Sequence, residues 1–141
     1  MAGLDKNTPI PVSIVAHQQS RVLEIAFDNA STFHLPYEYL RVYSPSAEVR
    51  GHGPGQETLQ LNKEEVAISE IESVGNYAIQ PKFSDGHATG IFSWDYLYEL
   101  GRDYESLWQK YLDKLAAGGH VRAVSAAPAP KKFVATALKR T

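Results

Sequence analysis

Few residues in this chain are of types and spacings that could do chemistry, and the histidines lead them. His87 follows the Asp85-Gly86 turn in Phe83-Ser84-Asp85-Gly86-His87, and His52 lies in the glycine-rich run Arg50-Gly51-His52-Gly53-Pro54-Gly55-Gln56. Imidazole is the commonest metal ligand, so these two histidines with Asp85 or Glu48 could supply an N/O site for iron or zinc. Their spacing matches no ligand motif. The plainer alternative has His87 hydrogen-bonding the backbone of its own turn and His52 standing in solvent. His17, His34 and His120 read as surface residues.

Other chemistries find less support. There is no GxSxG elbow for a serine nucleophile. The glycine-rich run contains GxGxG, but it lacks the Lys-Ser/Thr of a phosphate loop and sits in no strand–helix unit. Sixteen acidic residues are spread over the chain without a recognisable acid/base pair. The absence of cysteine excludes disulfides, thiolate metal sites and cysteine nucleophiles.

The elements that must position these groups follow from periodicity. Val12 to Ala16, Arg21 to Asp28 and Thr32 to Leu35 alternate apolar and polar residues and are separated by turn residues, which predicts an antiparallel meander. Pro36 suits the first position of a short helical turn over Tyr37-Glu38-Tyr39-Leu40-Arg41. Ser44-Pro45-Ser46-Ala47-Glu48 predicts a second, capped by Ser44. Residues 44–62 then form the longest irregular stretch. Strands resume over Val66–Val74, Tyr77–Gln80 and Ala88–Phe92, joined by two-residue Gly75-Asn76 and Asp85-Gly86 loops. Pro81 places the middle one at an edge or a bulge.

Ser93 is the expected cap of a helix from Trp94 that ends at Gly101. Asp103 is the expected cap of a longer one, Tyr104 to about Ala117. Its residues Tyr104, Leu107, Trp108, Tyr111, Leu112 and Leu115 form one apolar stripe. The fold class is therefore α+β: a mostly antiparallel sheet meander, short helices in a long loop, and a C-terminal amphipathic helix packed on the sheet. The organisation is a loose N-terminus (1–10), one β-rich domain (11–118) and an Ala/Pro/Lys tail (119–141) with too little apolar bulk to order alone.

Charge is unevenly placed. Residues 1–113 carry 8 Lys/Arg against 16 Asp/Glu, while 114–141 carry 6 Lys/Arg and no acid. An acidic body argues against binding nucleic acid through its phosphates. No run approaches the ~20 apolar residues of a membrane span, and the N-terminus has no signal-peptide pattern. A cytoplasmic protein with no membrane and no nucleic-acid partner is expected.

Two stretches, YLRVYSPSAEVRGHGPGQ and FSDGHATGIFSWDYLYELG, resemble the small family that shares the N-terminal domain of γ-butyrobetaine hydroxylase, of which bacteria carry standalone copies. The resemblance covers about residues 12–115. It implies an antiparallel β domain with flanking helices, and a structural zinc held by a cysteine cluster after the Leu-Arg element and by the His of the DGH turn. His87 matches that histidine. After Leu40-Arg41, where the cysteines would fall, the chain reads Val42-Tyr43-Ser44-Pro45-Ser46-Ala47-Glu48. Serine hydroxyls are poor zinc ligands, so loss of the zinc site is expected. The hydroxylase's iron and 2-oxoglutarate chemistry belongs to a separate domain. Related domains fused to iron–sulfur carrier ATPases suggest a metal-cofactor protein as partner.

The leading expectation is a non-catalytic accessory domain contacting an unidentified protein partner through Tyr43, Arg50, His52, Gln56 and His87. The first alternative is a metal-binding protein using His87 and His52 with Asp85 or Glu48, zinc or iron being the cofactor. The second is an enzyme with an unrecognised site.

Overall fold

The computed structural model describes residues 8–50 and 59–120. The sequence expectations for His52, Gln56, residues 1–7 and residues 121–141 lie outside the described residues. Two three-stranded antiparallel sheets make up the β part. One joins β1 (Pro11–His17), β2 (Val22–Phe27) and β3 (Thr32–Pro36) in that order; the other joins β4 (Ile68–Val74), β5 (Ala78–Phe83) and β6 (Phe92–Ser93). Between the sheets in sequence come α1 (Tyr37–Val42) and α2 (Ala47–Arg50); after them come α3 (Trp94–Arg102) and α4 (Tyr104–Ala117). This is the α+β class that the sequence pattern implies.

Alternation decides which side of each strand is buried. Leu23, Ile25 and Phe27 on β2 and Leu35 on β3 face the core, joined by Ile68, Ile79 and Phe83 from the second sheet and by Leu97 and Leu100 of α3. A polar stitch also ties the sheets together. The Gln18 amide donates to the Ile68 carbonyl at 3.1 Å and accepts from the Tyr37 hydroxyl at 3.0 Å. Tyr39 organises the helical side: its ring lies edge-on to Tyr43, Tyr104 and Trp108, and its hydroxyl donates to the Leu100 carbonyl at 2.7 Å.

The stripe on α4 divides its work. Tyr104, Leu107 and Trp108 pack on the central core, whereas Tyr111 and Leu115 close a smaller cluster with Val42 of α1 and Leu59 and Leu61. Among the described residues no helix is long and apolar enough to cross a membrane.

Several local expectations are corrected. The hairpin loops have three residues rather than two: Val74 pairs with Ala78 around Gly75-Asn76-Tyr77, and Phe83 donates to the His87 carbonyl at 2.9 Å around Ser84-Asp85-Gly86. Gly86 (φ +93°) fills the left-handed position that such a three-residue loop ends on. The expected strand Ala88–Phe92 shrinks to Phe92–Ser93. Ile79 pairs with Phe92, so continued register would set Gly90 opposite Pro81, which has no N–H to give. The ladder between β5 and β6 is thus confined to Ala78 and Ile79.

The helix ends also differ. Pro36 ends β3 and caps α1 instead of starting it. Ser46, not Ser44, precedes α2, and its carbonyl accepts from Val49 and Arg50. Ser93 caps α3 as expected, accepting from the Tyr96 N–H. Gly101 does not terminate that helix, which runs on to Arg102. A methyl group on Gly101 would fall 2.3 Å from the Phe33 ring, so glycine there permits close approach of α3 to β3. The Asp103 side chain makes no cap, since it pairs with the neighbouring Arg102 guanidinium instead.

Candidate functional site

His87 ends the Ser84-Asp85-Gly86 loop, and the α1–α2 connection lies against it. Its ring is buried with both nitrogens occupied. Nδ1 lies 2.9 Å from Glu48 Oε1 of α2; facing a carboxylate, it carries the proton and donates. Nε2 therefore accepts, from the Ser44 hydroxyl at 2.9 Å, with the Ser46 hydroxyl at 3.4 Å. Gly90 packs behind Ser44: a β-carbon there would sit 2.1 Å from Ser44 Oγ and 3.3 Å from Pro45 Cδ. Residues about forty positions apart are thereby locked into one hydrogen-bonded unit.

Beside it lies a charge cluster. Asp85 Oδ2 accepts from Arg41 Nε at 2.9 Å and from Lys63 Nζ at 2.5 Å, while its Oδ1 accepts from the His87 backbone N–H at 3.2 Å. Arg41 is buried in α1, and its Nη1 nitrogen has no hydrogen-bond partner. Burial alone would raise the Asp85 pKa, but the bonds from Lys63, the His87 N–H and Arg41 outweigh it and hold the carboxyl at about 2. His87 moves down from its ordinary value: burial and the Arg41 charge lower it, against the opposing pull of Glu48 and Asp85.

The sign for stability follows from these two shifts. The folded protein refuses a proton at His87 that the unfolded chain accepts near pH 6.5, so stability is full above that pH and falls as the medium acidifies through the lower folded value. A separate loss belongs to Asp85, between pH 3.8 and about 2. Urea midpoints are expected to drop between pH 7.5 and pH 5.5, and His87→Gln should flatten part of that slope. Equal slopes in the two proteins would remove His87 as the cause.

The structure places the expected site residues unequally. His87 and Glu48 meet. Asp85 touches His87 only through the backbone and spends its other oxygen on two cations. Glu48 and the serines approach opposite ring nitrogens, so a single ion on either nitrogen would meet only one of the two groups. Among the described residues no group of three or more His, Cys, Asp or Glu side chains is placed to hold a metal. Of the expected contact residues, Arg50 is exposed, with its guanidinium 5.0 Å from the centre of the Tyr96 ring. Tyr43 is half-buried and its hydroxyl donates inward to the Leu107 carbonyl at 2.6 Å.

Sequence reasoning missed Arg41, Lys63 and Gly90. Only Arg41 gave a signal, as a lone cation between the apolar residues Leu40 and Val42.

The Ser44–His87–Glu48 chain has the order of contacts found in hydrolase triads. It lacks their access. Ser44 is 1% exposed with Gly90 against its oxygen, and the solvent-facing member is Glu48, whose side chain is 63% exposed. No acyl group can reach the hydroxyl in this arrangement.

An α+β domain with two small antiparallel sheets, a Leu-Arg helix and a DGH loop pinned to the segment after it defines a class of domain. Residues 14–98 match the gamma-butyrobetaine hydroxylase-like N-terminal domain, and the chain belongs to that family. Two solution NMR structures are 42% and 40% identical, cover 92% and 89% of this chain and 98% and 99% of their own, and superpose with a TM-score of 0.72 each. A crystal structure of a protein of unknown function from Acidithiobacillus ferrooxidans, of the DUF971 family, is 39% identical over 70% of this chain and 98% of its own, with a TM-score of 0.57. No curated protein matches the chain.

Proposed function

We propose that this protein is a non-catalytic accessory domain that docks on a protein partner through the face presented by α2. The observation that carries this reading is that the His87, Ser44 and Asp85 side chains spend their hydrogen bonds on neighbouring groups of the same site, one Arg41 nitrogen alone being left over. Both His87 nitrogens are bonded, Ser44 is enclosed, and Asp85 is matched by Arg41 and Lys63. What that end of the domain presents outward is Ala47, Glu48 and Arg50. Exposed charges on a short helix suit recognition of a complementary partner more than chemistry. The resemblance to domains fused to iron–sulfur carrier ATPases makes a metal-cofactor protein the partner class to test first.

The test uses the full untagged chain, coupled to beads and challenged with lysate from its own cells. A stoichiometric prey retained by the wild type and lost from the Ala47→Arg/Arg50→Glu variant supports the reading. Prey held equally by both removes α2 as the surface. Stoichiometric zinc or iron in the purified protein, abolished by His87→Ala, would favour the metal-binding alternative instead.

A further inference from the structure

We infer that the outer face of the β1–β2–β3 sheet binds one borderline divalent cation (Zn²⁺, Ni²⁺ or Cu²⁺) through His17, Glu24 and His34. The argument begins with register. Glu24 on β2 pairs directly with His34 on β3 and with Val15 on β1, and His17 lies two residues beyond Val15 on the same strand. Leu23 and Ile25 point into the core, so Glu24 between them points out, and period two carries His17 and His34 to that same outer face. Three strands thus deliver two imidazoles and one carboxylate to one spot, away from the buried His87.

Distances support the grouping. His17 Nε2 lies 2.8 Å from Glu24 Oε1, and His34 Nε2 lies 3.9 Å from the same oxygen. Zinc bonds to nitrogen and oxygen of about 2.0–2.2 Å at a tetrahedral angle separate the ligand atoms by about 3.3–3.6 Å. The two observed separations straddle that range. The three side chains are not gathered as a ready metal centre in the described geometry, and the reason is chemical. Without an ion one ring must donate N–H to the carboxylate, which draws His17 in and leaves His34 outside. Replacing that proton by a cation changes each of these two separations by only about half an ångström or less, and the two imidazoles must turn toward one another to share the ion.

The group is also reachable and selective. His17, Glu24 and His34 side chains are 22%, 33% and 39% exposed, enough for an ion and its waters to enter without opening the sheet. Two imidazoles favour zinc, nickel and copper over the magnesium and calcium that all-oxygen sites prefer. A bound ion would clip both outer strands to β2, and β1 is a sheet edge carrying exposed Val12 and Val15. An imidazole binds metal only without its proton, so binding releases protons and weakens in acid.

The experiment is calorimetric titration of the full chain, tag removed and chelator-treated, with ZnCl₂ at pH 7.5, repeated at pH 5.5. One equivalent bound with micromolar affinity is expected. His34→Ala, His17→Ala and Glu24→Gln should each weaken it at least tenfold, and the pH 5.5 titration likewise, while His87→Gln leaves it unchanged. Far-UV circular dichroism checks that the variants fold, and zinc-induced shifts in the histidine side-chain NMR signals should fall on residues 17 and 34. Absence of binding at millimolar zinc overturns the proposal. So does binding that survives the His17→Ala/His34→Ala double change, which would place the ion on another histidine. Neither outcome bears on the docking face at α2.

Discussion

Asp85→Ala is expected to cost about 2–3 kcal/mol of stability, because removing one partner of a buried ion pair leaves the other charge uncompensated. The stranded group is Arg41, buried in α1 and already carrying one nitrogen without a partner. Lys63 and the His87 backbone N–H lose their acceptor at the same time. Asp85 is partly open to solvent, which brings the figure to or below the low end of the range for buried pairs. The decisive comparison is a double change. Arg41→Met removes the charge and keeps an apolar stem, so Asp85→Ala/Arg41→Met should be more stable than Asp85→Ala alone. Urea midpoints give the answer directly. A double variant worse than either single one would mean that Arg41 contributes packing or hydrogen bonds that Asp85 does not control.

Gly90→Ala carries the second large effect, about 2 kcal/mol, from overpacking and a lost hydrogen bond. The sign is not obvious beforehand. Adding a methyl group where glycine's conformation allows it stabilises by about 0.4–1 kcal/mol through the unfolded chain. Here the methyl would sit 2.1 Å from Ser44 Oγ, and Ser44 is too enclosed to step aside. The hydroxyl must rotate away from His87 Nε2, and the clash wins. Gly90→Ala/Ser44→Ala should recover much of the loss, since it deletes the offending oxygen. The His87 ring nitrogens, followed by NMR, should change environment in both variants. An unchanged midpoint for Gly90→Ala would show that the loop yields more easily than its packing implies.

How much of this was legible beforehand depends on the range of the interaction. The first meander could be read from Leu23, Ile25 and Phe27, because alternation is local and the buried face repeats every second residue. The helix α4 was legible in the same way from its apolar stripe, and Ser93 from its position before Trp94. The hairpin loops were misjudged by one residue, since turn chemistry names the residues but not the closing pair. The lost strand at Ala88 turned on Pro81, whose missing N–H matters only once the register is known. At the candidate site, His87 stood out by type and Glu48 was named beside it as a carboxylate, but the serine partners were not. Ser44, Ser46 and Glu48 lie some forty residues away, and hydrogen bonds over that span leave no pattern in the chain. The serines were visible only as the place where a resemblance would put cysteines. Arg41 and Asp85 are 44 residues apart and had no local reason to be paired.

The union of His87 with Ser44, Ser46 and Glu48 has one more consequence. A junction built from thiols would be exposed to oxidants. Here it is made of hydroxyl, imidazole and carboxylate in a chain with no cysteine. The connection between the first helices and the second sheet therefore offers no thiol to an oxidant. Its weakness is acidity instead.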